Sequence, residues 1–252
     1  MIRIFADAEE LARGAAGFFA EEISRAVTAR GRASVLLAGG ETPPRTYELL
    51  AEEPLRETIP WDKIHFFWGD ERCVPADDPQ SNQRMARKSL LERVPVPLEN
   101  IHPIACGDSP EQAAAAYQRE LQDHFVGDPP RFDLVFLGLG ADGHTASLFP
   151  GSAALAEQTH WTAAVYRQGE PFARITLTLP LLNQARRFLF LVSGRDKAAI
   201  LAEMVRGVSA SGPFYPAQRV QPRDGELCWF ADRDAAGCQG LSQMSPRKFS
   251  PK

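Results

Sequence analysis

Apolar positions in this chain follow two rhythms. Leu11, Ala15, Phe18, Phe19, Ile23 and Val27 recur at helical spacing and stop before Gly31, while Asp7, followed three residues later by Glu10, supplies a capping-box start. Short apolar runs at 34–37 and 64–68 read as strands, and a further strand is expected at 100–104. The run 134–137, apolar at every position, reads as a central strand covered on both faces, and 188–192 as another buried one. Residues 174–178 alternate like a strand, 227–230 form the last one, and 113–125 and 197–206 are helical. Strands and helices therefore alternate, which predicts a single α/β domain over 1–240, its mostly parallel sheet wrapped by helices through right-handed crossovers. Pro95, Pro97, Pro129 and Pro130 mark loops, the stretch 207–216 is the expected mobile segment, and 241–252 reads as a frayed tail.

The strand at 134–137 runs directly into Gly138, Gly140 and Gly143, with Asp142, His144 and Thr145 among them. Open α/β sheets bind ligands at such strand ends, where glycines let the backbone turn sharply and approach a ligand closely. An imidazole ordinarily titrates nearest neutrality, so His144 in that turn suits proton transfer, although a plain strand-to-helix connection would share the pattern. A third glycine at dinucleotide spacing and an acidic ribose partner about twenty residues on are both missing, which argues against a nicotinamide site.

Gly39, Gly40 and Thr42, followed by Pro43 and Pro44 at a helix start, form a candidate anion cradle of freed backbone amides, a hydroxyl and a helix dipole. By itself this is also what a simple turn looks like. Gly69, Asp70, Glu71 and Arg72 end an aromatic strand, with Ser81 and Asn82 after a proline-bounded loop; alone, such a run also fits a solvated loop. Arg174 and Lys197, if their strands are parallel, converge near the same sheet end as a phosphate clamp.

A net charge of −4 argues against a nucleic-acid surface but permits a small anionic substrate held by a few local cations and amides. There is no secretion signal and no apolar run near the roughly twenty residues of a membrane span, so a cytoplasmic protein without membrane contact is expected. Cys73, Cys106, Cys228 and Cys238 lack paired-ligand spacing, so reduced thiols are expected, with neither zinc site nor disulfide. Cys73 reads as a small buried hydrophobe and His65 as a structural residue, while His102, His124 and His160 have no supporting cluster.

Taken together, AGGETP, GDERCVP with PQSN, GLGADGHTASLFPG, RITLT, SGRDKA and PAQRVQP, in that order over about 34–236, resemble the 6-phosphogluconolactonases. The resemblance implies a Rossmann-like three-layer α/β sandwich shared with glucosamine-6-phosphate deaminases and ribose-5-phosphate isomerases, and the substrate 6-phospho-D-glucono-1,5-lactone. It implies His144 as general base and Arg72 as oxyanion partner, with Asp142 orienting the imidazole and Asp70 positioning Arg72 or a sugar hydroxyl. Gly39, Gly40, Thr42, Arg174 and Lys197 would hold the phosphate. Glu41 departs from the small polar residue usual there and is expected to face solvent. No cofactor or metal is expected to be required, although Asp70, Glu71 and Asp142 with His144 are able to take a divalent ion, and a monomer or homodimer is expected. The rivals are an isomerase or deaminase of the same fold and, more remotely, a non-catalytic sugar-phosphate sensor, for whose DNA-binding module the chain leaves no room.

Overall fold

The computed structural model describes residues 1–107, 109–207 and 214–237. Its strands are β1 (Ile2–Phe5), β2 (Ala33–Leu37), β3 (Ile64–Trp68), β4 (Asp70–Arg72), β5 (Leu134–Gly138), β6 (Thr162–Tyr166), β7 (Ala173–Leu177), β8 (Arg187–Val192) and β9 (Glu226–Asp232). The helices are α1 (Ala8–Arg30), α2 (Pro43–Leu50), α3 (Leu55–Thr58), α4 (Asn82–Ala86), α5 (Pro110–His124), α6 (Ala153–Ala156), α7 (Leu179–Leu182), α8 (Ala198–Arg206) and α9 (Arg233–Ala236). Six strands form a parallel sheet in the order β1-β9-β8-β5-β2-β3.

The buried central strands follow from their composition. Leu134, Val135, Phe136 and Leu137 are buried, as a strand covered on both faces requires. Phe19 of α1 stacks on Phe136 at 6.1 Å between centroids and Tyr47 of α2 meets the same ring edge-on, so both helices cover one face. On the other face Phe67 meets Phe132 and the ring of His124, the last residue of α5. Helix α5 also packs on β6 and β7, which completes a three-layer α/β sandwich. At the start of α1 the Asp7 side chain accepts the Glu10 amide at 2.8 Å, and Gly31 ends the helix at φ 75°, a conformation that favours glycine.

Three expectations are corrected. Residues 174–178 do form a strand, but β7 runs antiparallel between β4 and β6 in a separate three-stranded sheet, since alternation fixes a strand and not its partner's direction. Residues 100–104 form no strand: Ile101 makes one bridge to Phe66, and Pro103 has no N–H with which to continue it. Cys73 and Cys106 are joined in a disulfide, with Cα atoms 5.3 Å apart, against the expectation of reduced thiols. Spacing along the chain does not reveal a pair that only the fold brings together. Cys228 is free and buried.

His102 and His124 also meet, against expectation, gathering with His65 into one half-buried cluster; His160 lies apart and exposed beside Glu157. Edge strand β1 escaped the pattern because two of its four residues are exposed and none is buried. Lys197 precedes α8, at the end of a short 3-10 turn, Arg195–Lys197. The expected tail, Cys238 and most of 207–216 lie outside the described residues. Among those described, no helix is long and apolar enough to cross a membrane.

Two tyrosines finish the strand ends that border the cavity described below. Tyr47 accepts the Ala38 N–H and donates to the Ala38 carbonyl, at 3.0 and 3.1 Å. Tyr117 of α5 does the same for Trp68, at 3.0 and 3.1 Å. Both phenols are buried, which pushes their pKa up and keeps each hydroxyl a donor. Tyr117→Phe is expected to cost about 1–3 kcal/mol of unfolding free energy, because buried backbone groups lose their partner. The exposed Tyr166→Phe should cost under about 1 kcal/mol. Urea denaturation compares the two, and equal losses would contradict the capping role.

Candidate active site

Strands β2, β5 and β8 end at one crevice, a cavity of about 360 Å³. Gly39, Gly40, Thr42, Asp70, Arg72, His144, Arg174 and Lys197 line it, so every sequence-predicted residue except Asp142 reaches its wall. Asp142 stands behind His144. Its Oδ1 accepts the His144 backbone N–H at 3.1 Å and contacts the ring Nδ1. Burial alone would raise the Asp142 carboxyl, but the hydrogen bonds from the His144 ring and backbone outweigh it and hold the group below the usual carboxylate range. A carboxylate on Nδ1 keeps the proton there and leaves Nε2 as the proton-accepting nitrogen.

The turn that makes this pair possible is built on two glycines. Gly143 adopts φ 76°, and its N–H closes on the Gly140 carbonyl at 2.9 Å. A Cβ at Gly140 would fall 2.0 Å from His144 Nδ1, so the backbone there passes directly against the imidazole. Phe149 supports the ring at 4.6 Å between centroids. Arg167 lies over the Phe149 ring, 4.6 Å from its centroid, and 3.8 Å from Asp142.

Asp70 is buried and does not touch Arg72 through its carboxylate. Its Oδ2 accepts the Ser147 hydroxyl at 2.6 Å, its Oδ1 the Asn82 amide at 3.2 Å, and Arg174 lies 3.8 Å away. Ser147 is reached through Ala146, which sits at φ 48°, the one positive φ outside glycine among the described residues. Glu71 turns away from the cavity. It accepts the backbone N–H groups of Arg72, Asn82 and Gln83 and the Ser81 hydroxyl, between 2.7 and 2.9 Å. Burial raises the Glu71 carboxyl and these bonds oppose the rise. The acidic ion-binding cluster envisaged from sequence is therefore not assembled. Among the described residues, the one group of three metal-capable side chains is the histidine cluster at the far end of the sheet.

Arg72 is anchored through Nη1 on the Gln80 carbonyl at 2.6 Å, while its buried Nε has no partner. Arg174 sits opposite Arg72 in the β4–β7 register, and Glu170 takes its Nε and Nη2 at 2.8 and 2.9 Å. The convergence of Arg174 and Lys197 expected from parallel strands thus has a different basis: both line the cavity, but Arg174 arrives on an antiparallel strand with two donors committed to a carboxylate. Lys197 follows the Ser193–Gly194 turn, which Asp232 fixes by accepting the Gly194 N–H at 3.2 Å. Thr42 makes no side-chain capping bond, and Pro43 and Pro44 open α2 beside it. Glu41 is exposed and lines the rim of the cavity between Gly40 and Thr42.

Asn82, Ser147, Arg167 and Glu170 hold the site and were given no role from sequence. Ser147 and Asn82 stood inside quoted motifs, and only the fold shows what they touch.

Residues 6–229 match the family described as glucosamine-6-phosphate isomerases/6-phosphogluconolactonase. The chain belongs to that family. It is 46% identical over 217 residues to the 6-phosphogluconolactonase of Synechocystis sp., covering 84% of this chain and 87% of the relative. Identity to the 6-phosphogluconolactonase of Mycobacterium tuberculosis is 40% over 243 residues, covering 93% and 96%. The crystal structure of the 6-phosphogluconolactonase from Thermotoga maritima is similar with a TM-score of 0.80 and 31% identity, covering 92% of this chain and 99% of that one. Family membership accounts for the Rossmann-like sandwich, and the cavity lies where folds of this class bind ligands.

The Gly140 contact yields a direct check. Gly140 has no positive φ, so Gly140→Ala is compatible with the backbone, but its methyl group displaces the imidazole. A displacement of about 1 Å is expected to lower kcat about hundredfold with the melting transition still cooperative. Wild-type turnover by Gly140→Ala would show that the placement of His144 against this turn is immaterial.

Proposed function

We propose that the protein hydrolyses 6-phospho-D-glucono-1,5-lactone to 6-phospho-D-gluconate. The observation that carries this reading is that His144, backed by Asp142, shares one cavity with Arg72 and, separately, with the Gly39–Gly40–Thr42 loop and Lys197. The first set suits acyl chemistry and the second suits a phosphate. A net charge of −4 fits a small sugar-phosphate partner rather than nucleic acid.

Opening a δ-lactone requires a nucleophilic water and a place for the charge that collects on the carbonyl oxygen. His144 Nε2 takes a proton from water as the oxygen attacks the lactone carbonyl. Arg72 stabilises the resulting oxyanion with a guanidinium held in place by Gln80. Collapse of the tetrahedral intermediate breaks the bond to the ring oxygen, which receives the proton from the imidazolium. Asp142 keeps Nδ1 protonated throughout and stabilises the transient charge on the ring. Arg174, neutralised by Glu170 and close to Asp70, holds the wall of the cavity.

At the other end, the amides around Gly40, which adopts φ 94°, the Thr42 hydroxyl, the start of α2 and Lys197 receive the phosphate. Fixing the phosphate fixes the distance from it to the carbonyl, so binding energy from the remote group is used for orientation.

The two sets of residues should separate in kinetics. With lactone generated in place from glucose 6-phosphate and corrected for spontaneous opening, His144→Ala is expected to lower kcat about 10²- to 10⁴-fold with little change in KM. Lys197→Ala should chiefly raise KM. Full kcat in the histidine variant would overturn the base assignment. Turnover of glucosamine 6-phosphate in place of the lactone would overturn the substrate assignment.

A further inference from the structure

At the end of the sheet opposite the cavity, three imidazoles meet that the hydrolytic site does not use. His65 is the second residue of β3, His102 follows the Ile101 bridge, and His124 ends α5. One ring nitrogen from each lies within 4.8 Å of the others, and all three residues are half-buried, which leaves a path from solvent. We propose that His65, His102 and His124 form a binding site for a divalent transition-metal ion of the zinc, cobalt or nickel class, separate from the hydrolytic cavity.

The hydrogen bond between Glu120 and His102 already favours ligation, and the proton between His65 and His102 moves to the outer nitrogen of His65 when an ion binds. Glu120 sits 3.0 Å from His102 Nδ1, and a carboxylate there accepts a hydrogen bond from Nδ1–H, which leaves Nε2 as the lone-pair nitrogen. His102 Nε2 lies 3.0 Å from His65 Nδ1. Nitrogens sharing one tetrahedral ion with bonds of about 2.0–2.1 Å stand about 3.3–3.4 Å apart, so this pair is within a few tenths of an ångström of ligand spacing. The third ring must close in by rotation about its side-chain bonds. His124 Nε2 contacts the Ser34 hydroxyl at 2.7 Å, and Ser34 is the β2 neighbour of His65 in register. Water completes the coordination. Phe67 stacks on His102 at 4.2 Å between centroids and limits its rotation.

Protons compete weakly for these nitrogens. Burial, reinforced by the neighbouring histidines and by Arg32, lowers His65 to about 4 and His124 to about 3, so both are neutral at pH 7. Arg32 is the cation that opposes an incoming ion, and Asp128 at 2.9 Å offsets it, as Glu120 does from the other side. Three imidazoles without thiolate select borderline ions over magnesium or calcium.

The test uses untagged full-length protein stripped with chelator and dialysed against cobalt(II) at pH 7.5. Wild type and His144→Ala are each expected to retain one cobalt per chain and to melt at a higher temperature with it, since an ion that binds only the folded state stabilises that state. His65→Gln and His102→Gln should lose stoichiometric binding, and Glu120→Ala should weaken it about 10- to 100-fold. Circular dichroism confirms that each variant is folded. X-ray absorption on the wild-type complex, which needs no variant, should count three imidazole nitrogens. Absence of stoichiometric binding, binding that survives His102→Gln, loss of binding in His144→Ala, or a single imidazole in the absorption spectrum would each overturn the proposal.

Discussion

The carboxylate of Asp70 is the junction on which the active-site walls depend. It follows Gly69, where the two sheets are joined: the Gly69 N–H donates to Leu37 of β2 at 3.1 Å, and its carbonyl accepts from Leu177 of β7 at 2.8 Å. A buried carboxylate must find donors, and those of Asp70 come from separate segments. Ser147 belongs to the loop that carries His144, Asn82 to the helix after the Arg72 loop, and Arg174 to β7. Asn82 in turn lies so close to Gly39 that a Cβ there would fall 1.9 Å from its side-chain oxygen. One polar network therefore ties the imidazole loop to the guanidinium loop, the anion cradle packs against it through Asn82, and the spacing between the three follows from these contacts.

The network separates the cavity into unlike ends. One end is lined by Gly40, Thr42 and Lys197, with Asp196 3.2 Å from the ammonium and Glu41 at the rim. Around His144, Asp142 serves the imidazole and Glu170 holds Arg174, while Arg72 rests on the Gln80 carbonyl with no carboxylate partner among the described ion pairs. On the proposed reading the phosphate takes the first end, beside the glycine turn and the start of α2, and the lactone carbonyl takes the second, which gives the substrate one orientation.

Much of the frame was legible because burial on both faces leaves apolar runs, as at 64–68, 134–137 and 188–192. Edge strand β1 left no such trace, and β7 showed its alternation but not the antiparallel partners that decide its direction. The His144–Asp142 pair was readable because its members are two residues apart. Asp70 and Ser147 are separated by 77 positions, His65 and His102 by 37, and Cys73 and Cys106 by 33, so no local pattern announces those contacts. Arg174 shows the opposite difficulty. Glu170, its partner, lies four residues earlier in plain view, yet a cation near a glycine loop reads more readily as a phosphate ligand than as half of an ion pair.

The central claim is that one network sets the imidazole and guanidinium a sugar length from the anion cradle. A crystal structure with the product 6-phospho-D-gluconate bound tests it most directly. The account predicts the phosphate against Gly40, Thr42 and Lys197 and the new carboxylate within hydrogen-bond reach of His144 and Arg72. A phosphate seated on Arg72 and Arg174, with the carboxylate at Lys197, would contradict it.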